Sequence, residues 1–185
     1  MSNAVESTKV VTGIVRFSYA NVFEAKSING SDPKFSCSLL IPKEDKETIA
    51  AIHKAIEAAK QAGIGKFGGK IPAKLKLPLR DGDEERPEDE AYAGHYFINA
   101  NSAQKPGIVD KNLKPIMDTT EFYSGCYGRA SINFYAFNTN GNKGIACGLN
   151  NLMKTADGEA LSGRTNAEDD FAGFASADTE EDFLK

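Results

Sequence analysis

Seven carboxylates fall within ten residues, at Asp81, Asp83, Glu84, Glu85, Glu88, Asp89 and Glu90. Such a cluster is raw material for a divalent cation and for metal-assisted phosphodiester cleavage. A two-metal site usually draws its carboxylates from separate rigid elements. This run contains Gly82 and Pro87 and reads better as a solvated loop, so nuclease chemistry stands as the alternative. Gly63, Gly65 and Gly68 have Gly-x-Gly-x-x-Gly spacing, but they follow a helical pattern instead of a strand, the wrong context for dinucleotide binding. Gly68-Gly69-Lys70-Ile71 lacks both the spacing and the Ser/Thr of a phosphate loop. Cys37, Cys126 and Cys147 are far apart with no Cys-x-x-Cys, and only His53 and His95 accompany them. Reduced, packed thiols are expected, with no zinc site and no disulfide framework. No catalytic residue and no cofactor is assigned.

Binding chemistry has a firmer basis at residues 127–137. Side chains alternate across a strand. One face would carry Gly128, Ala130, Ile132, Phe134 and Ala136, all small or apolar. The other would carry Tyr127, Arg129, Ser131, Asn133, Tyr135 and Phe137. Bases stack on rings, and a guanidinium pairs with phosphate or lies flat on a base. A strand buried on both faces, with Arg129 and Asn133 satisfied locally, is the competing reading. The expectation carried forward is an open trough for single-stranded nucleic acid, floored by Tyr127, Arg129, Asn133, Tyr135 and Phe137.

Cations cluster in residues 63–80, where Lys66, Lys70, Lys74, Lys76 and Arg80 occur with no acidic residue between them. A flexible cationic loop along a phosphodiester backbone is expected, against the plainer alternative of a solvated connector. Arg16 and Lys143 complete the basic set. Overall the 185 residues carry a net charge of −4, which at first argues against a nucleic acid partner. Residues 166–185, however, hold seven acidic side chains against Lys185 alone, a net of −6, so the preceding body is mildly basic at +2. An acidic tail behind a basic body is itself a cue. Its tip, Glu180, Glu181, Asp182 and Phe183, sets one aromatic anchor among carboxylates and is expected to compete with DNA or to meet replication and recombination proteins.

The elements that must position these groups are mostly strands. Lys9–Tyr19 reads as a first strand bent at Gly13, with Val11, Val15 and Phe17 on one face and Val10, Thr12, Ile14 and Arg16 on the other. Asn21–Ile28 is a second strand, closed by the turn Asn29-Gly30-Ser31-Asp32-Pro33, and Lys34–Ile41 a third. A helix of about 17 residues follows, capped by Asp45 and ended by Gly63, with Ile49, Ile52, Ile56 and Ala59 as its apolar stripe and His53 facing water. His95–Asn101, Tyr127–Phe137 and Ile145–Leu152 supply further strands, the last two joined by an Asn-Gly hairpin. No apolar run spans a bilayer and no signal sequence precedes the first strand, so a cytoplasmic location is expected.

This order predicts a mainly β protein with one principal helix: an OB-fold-like Greek-key barrel with extended loops and a disordered acidic C-terminal tail. The boundaries are a flexible residues 1–8, a nucleic-acid-binding barrel at 9–154 and a flexible tail at 155–185. The segments 15–23, 78–87, 96–101, 123–130 and 144–151 resemble a phage and prophage family of OB-fold single-stranded DNA-binding proteins, long catalogued as a domain of unknown function. The resemblance covers residues 9–170. It implies sequence-independent binding of single-stranded DNA in phage replication and recombination, without catalysis, in the cytoplasm of a bacterial host. It gives no base-contacting residues. A homodimer is compatible with the sequence but not required by it. The extreme C-terminus departs from other such tails, since Leu184 and Lys185 follow the aromatic residue.

Overall fold

The computed structural model describes residues 7–27, 30 and 32–161. Its strands are β1 (Lys9–Val11), β2 (Val15–Lys26), β3 (Lys34–Pro42), β4 (Arg80–Asp81), β5 (His95–Ser102), β6 (Gly107–Val109), β7 (Tyr127–Thr139) and β8 (Asn142–Ala156). Helix α1 (Lys46–Ala62) follows β3, and a single turn, α2 (Gly82–Glu85), follows β4. β2 pairs with β3, β3 with β5, β5 with β8, β8 with β7, and β7 back with β2, so five strands close a ring. All these pairs are antiparallel except β5 with β8. That is the pairing pattern of an OB barrel, the expected fold. The helix sits between the second and third strands of the ring.

The core fills the ring. Val15, Phe17, Leu39, Ile41, Ile98, Ala130, Ile132, Phe134 and Leu149 are buried, joined by Ile52, Ile56 and Ala59 from α1. The helix matches the sequence: Asp45 accepts a hydrogen bond from Thr48 N, and Gly63 ends it. His53 is exposed. All three cysteines are free and buried.

The first two expected strands require correction. The chain breaks at Gly13, where a Cβ would lie 2.6 Å from Asp45 Oδ2 and 2.9 Å from Thr48 Oγ1. The break shifts the alternation by one, so Val10 and Thr12 are buried while Val11 and Ile14 are exposed. Beyond it, β2 continues through Tyr19 without a turn. A register shift between Ser18 and Asn21 absorbs the irregularity, with Tyr19 at φ 46°. The barrel also reaches further than expected, since β8 extends to Ala156 and Leu161 N donates to Ser124 O.

Residues 63–80 are laid on the barrel and do not form a free loop. Ile64–Phe67 is a 3-10 turn with Phe67 buried, and Leu75 and Leu79 pack on the core. Lys76 forms a parallel bridge to Gly144, and β4 pairs with Phe97 and Tyr96 of β5. The reason is that Phe67, Leu75 and Leu79 give this basic stretch apolar side chains to bury against the barrel, while Leu77 stays exposed. The hairpin between β7 and β8 turns at Asn140 and Gly141, both at positive φ (52° and 85°), as a tight hairpin requires.

Candidate nucleic-acid interface

The even-numbered residues from Gly128 to Ala136 are all buried, and the odd-numbered ones look outward. Tyr135 is 39% exposed, and burial of part of its ring raises its phenol pKa, keeping it a neutral donor. Strand pairing extends this face around the barrel. Asn21 stands opposite Ser36, Ser36 opposite Asn101, Asn101 opposite Gly148, Gly148 opposite Asn133, and Asn133 opposite Lys9. The result is a belt of small and amide side chains crossing five strands and ending at Lys9 on a sixth. Tyr135, paired with Ala146, flanks it on β7. Tyr19, 56% exposed, stands beside its other end.

At that end the surface is concave. A cavity of about 350 Å³ is lined by Tyr19, Asn21, Lys26, Asp32, Lys34, Ser36, Ser38, Arg86, Asn99 and Asn101. A second, of about 560 Å³, lies against Tyr19, Ala20, Asp89, Ser124 and Leu161. Tyr19, Asn21 and Lys26 belong to both. In the floor, Ser38 Oγ donates to Asn99 Oδ1.

Residues 8–184 match the family described as "Enterobacter phage Enc34, ssDNA-binding protein". The chain belongs to this family. It is 30% identical over 167 residues to "Putative protein p50" of Acyrthosiphon pisum secondary endosymbiont phage 1, covering 84% of this chain and 87% of that protein. Among solved structures it resembles the single-stranded DNA-binding protein from bacteriophage Enc34 in complex with ssDNA, with a TM-score of 0.76 and 24% identity over 84% of this chain and 90% of that one. The C-terminal truncation of the same phage protein gives a TM-score of 0.70 and 25% identity, over 83% and 89% of the two chains. The single-stranded DNA-binding protein gp2.5 of bacteriophage T7 shares the fold, with a TM-score of 0.61 and 14% identity over 93% and 97%.

Against that family background, the expected contact residues divide. Tyr135, Asn133 and Phe137 line or adjoin the belt, although Asn133 Oδ1 already accepts from Thr8 Oγ1 at 2.8 Å. Arg129 is exposed, but Nη1 donates to Thr12 O. Tyr127 and Arg16 stack on each other at the far end of β7, beside Gly158 and Glu159. Lys66 and Lys143 donate to the backbone oxygens of Ala136 and Phe67, beside the hairpin. Lys70, Lys74 and Lys76 are exposed. Arg80 is held by Glu85 at 2.6 Å and lies over Phe97. Glu180, Glu181, Asp182 and Phe183 lie outside the described residues.

The carboxylate run is not assembled as a metal cage. Lys43 Nζ bridges Asp81 and Asp83 at 2.8 Å each and holds both carboxyls below the usual range. Asp81 also caps α2, and Asp89 caps the turn at Glu90–Tyr92. Among the described residues no group of three or more His, Cys, Asp or Glu is placed to share an ion. Asp81, Asp83, Glu85 and Asp89 act instead as local caps and counter-ions. This is the structural role that the sequence left unexplained.

The alternation rule missed Tyr19, Arg86, Lys26, Lys34, Asn99 and Asn101. Asn-x-Asn within β5 was visible, since Asn99 and Asn101 share one face of a strand. Tyr19 was concealed because a bulge, not alternation, aims it outward.

Proposed function

We propose that this chain binds single-stranded DNA along the belt between Tyr19 and Tyr135, without chemistry and with little base preference. The observation that carries the reading is family membership across residues 8–184, joined to a barrel face of amides, hydroxyls and exposed rings. A relative of matching fold was solved with single-stranded DNA bound. Bases stack on Tyr135 and Tyr19, each stack contributing about 1–3 kcal/mol, and every base has a face to offer. Lys26, Lys34, Lys66, Lys70, Lys74, Lys76 and Lys143 supply positive potential around both ends of the belt. Phe137 and Arg129 are secondary contacts, and Tyr127, Arg16 and Arg80 support the surface from beneath or beside it.

The working context is replication and recombination of phage DNA in the cytoplasm of the bacterial host. The body from residue 9 to about 161 carries the DNA. The acidic residues beyond it, and Glu180–Phe183 in particular, meet replication and recombination proteins. Among the described residues no helix is long and apolar enough to cross a membrane. The test is binding by fluorescence anisotropy to single-stranded DNA, duplex DNA and single-stranded RNA across a salt series. Preferential binding of single-stranded DNA that weakens with salt and needs no metal supports the reading. No oligonucleotide binding at low salt overturns it in favour of a protein-interaction module.

A further inference from the structure

Arg86 lines the cavity together with Lys26, Lys34 and Asp32, and it is the one guanidinium among them. It is half-buried, and its Cζ lies 5.9, 5.6 and 5.8 Å from the ring centres of Tyr19, Tyr92 and Phe97. Among the described residues no ion pair engages it. Four of its acidic neighbours in sequence are directed elsewhere. Glu85 faces Arg80, Asp81 and Asp83 face Lys43, and Asp89 caps the following turn. The backbone is pinned on both sides, with Arg86 N donating to Gly82 O and Asp89 N to Arg86 O.

Tyr19 is the opposing element. A bulge holds it at φ 46°, a region that a bulky side chain rarely occupies, and such strain collects at ligand clamps. Its ring walls both cavities, one of about 350 Å³ and one of about 560 Å³.

Resting on the single-stranded DNA reading above, we propose that Tyr19 and Arg86 form a nucleotide clamp. One base stacks on the open face of Tyr19, above Asn99 and Asn101, while Arg86 leaves or tilts within its ring cage to pair with the adjoining phosphate. The acidic run is then the frame of the clamp. It fixes the loop and diverts its carboxylates so that one guanidinium faces the strand unneutralised. A planar guanidinium suits both states, because it stacks on rings and forks onto phosphate, whereas an ammonium does neither as well.

The test is anisotropy with fluorescein-labelled oligo-dT over a salt series, on the full chain. Tyr19→Ala is expected to lose tenfold or more in affinity with an unchanged salt slope, and Tyr19→Phe to keep wild-type affinity. Arg86→Ala is expected to reduce the slope of log K against log salt by about 0.7, the loss of one phosphate contact on a single strand. Arg86→Lys is expected to keep the slope but lose affinity. Thermal melts establish that each variant is folded, and Arg86→Lys carries the test if the alanine variants do not fold. Wild-type affinity and slope in Tyr19→Ala and Arg86→Ala overturn the clamp while leaving the DNA reading standing. An Arg86→Lys variant indistinguishable from wild type overturns the stacking half of the proposal. A wild-type protein that binds no oligo-dT overturns both readings.

Discussion

The guanidinium of Arg16 lies 5.3 Å from the centre of the Tyr127 ring, while its Nε donates to Gly125 O and its Nη2 to Glu159 O. One cation thereby ties β2 to the start of β7 and to the chain leaving β8. The Tyr127 face turned towards Arg16 is not open to a base. Arg16→Ala is expected to lower stability by about 1–3 kcal/mol, from one cation–π contact and two hydrogen bonds. Urea denaturation measures it. DNA affinity of the folded variant is expected to fall less than in Tyr135→Ala; the opposite ranking would move the DNA path towards Tyr127.

Lys43 gives the Asp81–Glu90 segment a pH dependence of definite sign. Its ammonium lies between Asp81 and Asp83, lowering both carboxyl pKa values and raising its own. The carboxylate contribution is present above their unfolded pKa of about 3.9 and lost as pH falls through the lower folded values. The lysine contribution is present below about 10.4 and lost as pH rises through its folded value. Lys43→Met is therefore expected to flatten the acid limb of a stability–pH profile. Denaturant midpoints between pH 2.5 and 7 test this, and an unchanged limb would count against the pairing.

The three cysteines make a chemical probe of the barrel. Burial raises the pKa of Cys37, Cys126 and Cys147. At pH 8 the native thiols are expected to resist a disulfide reagent, and all three to react in denaturant. Because the folded state holds these protons more tightly, stability is expected to decline as pH rises above about 8.5, the unfolded thiol value. Fast native labelling at any position would show that its packing is looser than described.

What the sequence disclosed follows from how local each signal is. The helix was legible at both ends because Asp45 and Gly63 are caps, and caps are read within one turn. The faces of β7 were legible because nothing interrupts its alternation between Gly128 and Ala136. The faces of the first strand were not, because Gly13 shifts the phase for a tertiary reason, its approach to Asp45 and Thr48. The belt could not be read at all, since Asn21, Ser36, Asn101 and Gly148 become neighbours only through strand register. The same holds for Arg86, whose three rings come from β2, β5 and the Glu90–Tyr92 turn. Its flanking carboxylates, prominent in sequence, drew attention to metal chemistry and away from Arg86 itself.

Gly148 offers the most direct test that DNA crosses the belt. A Cβ there would face outward, 3.5 Å from Asn133 O and 3.6 Å from Tyr135 Cε1, ordinary contact distances. Gly148→Glu should thus be tolerated by the fold, within about 0.5 kcal/mol as for other surface changes. It would place a carboxylate beside Tyr135, on the belt that runs from there towards Tyr19 and in the path of the phosphates. The measurement is oligo-dT affinity of Gly148→Glu against wild type at fixed salt, with unfolding midpoints in parallel. A drop of tenfold or more with an unmoved midpoint is the expected result; wild-type affinity in the folded variant would contradict the belt as the DNA path.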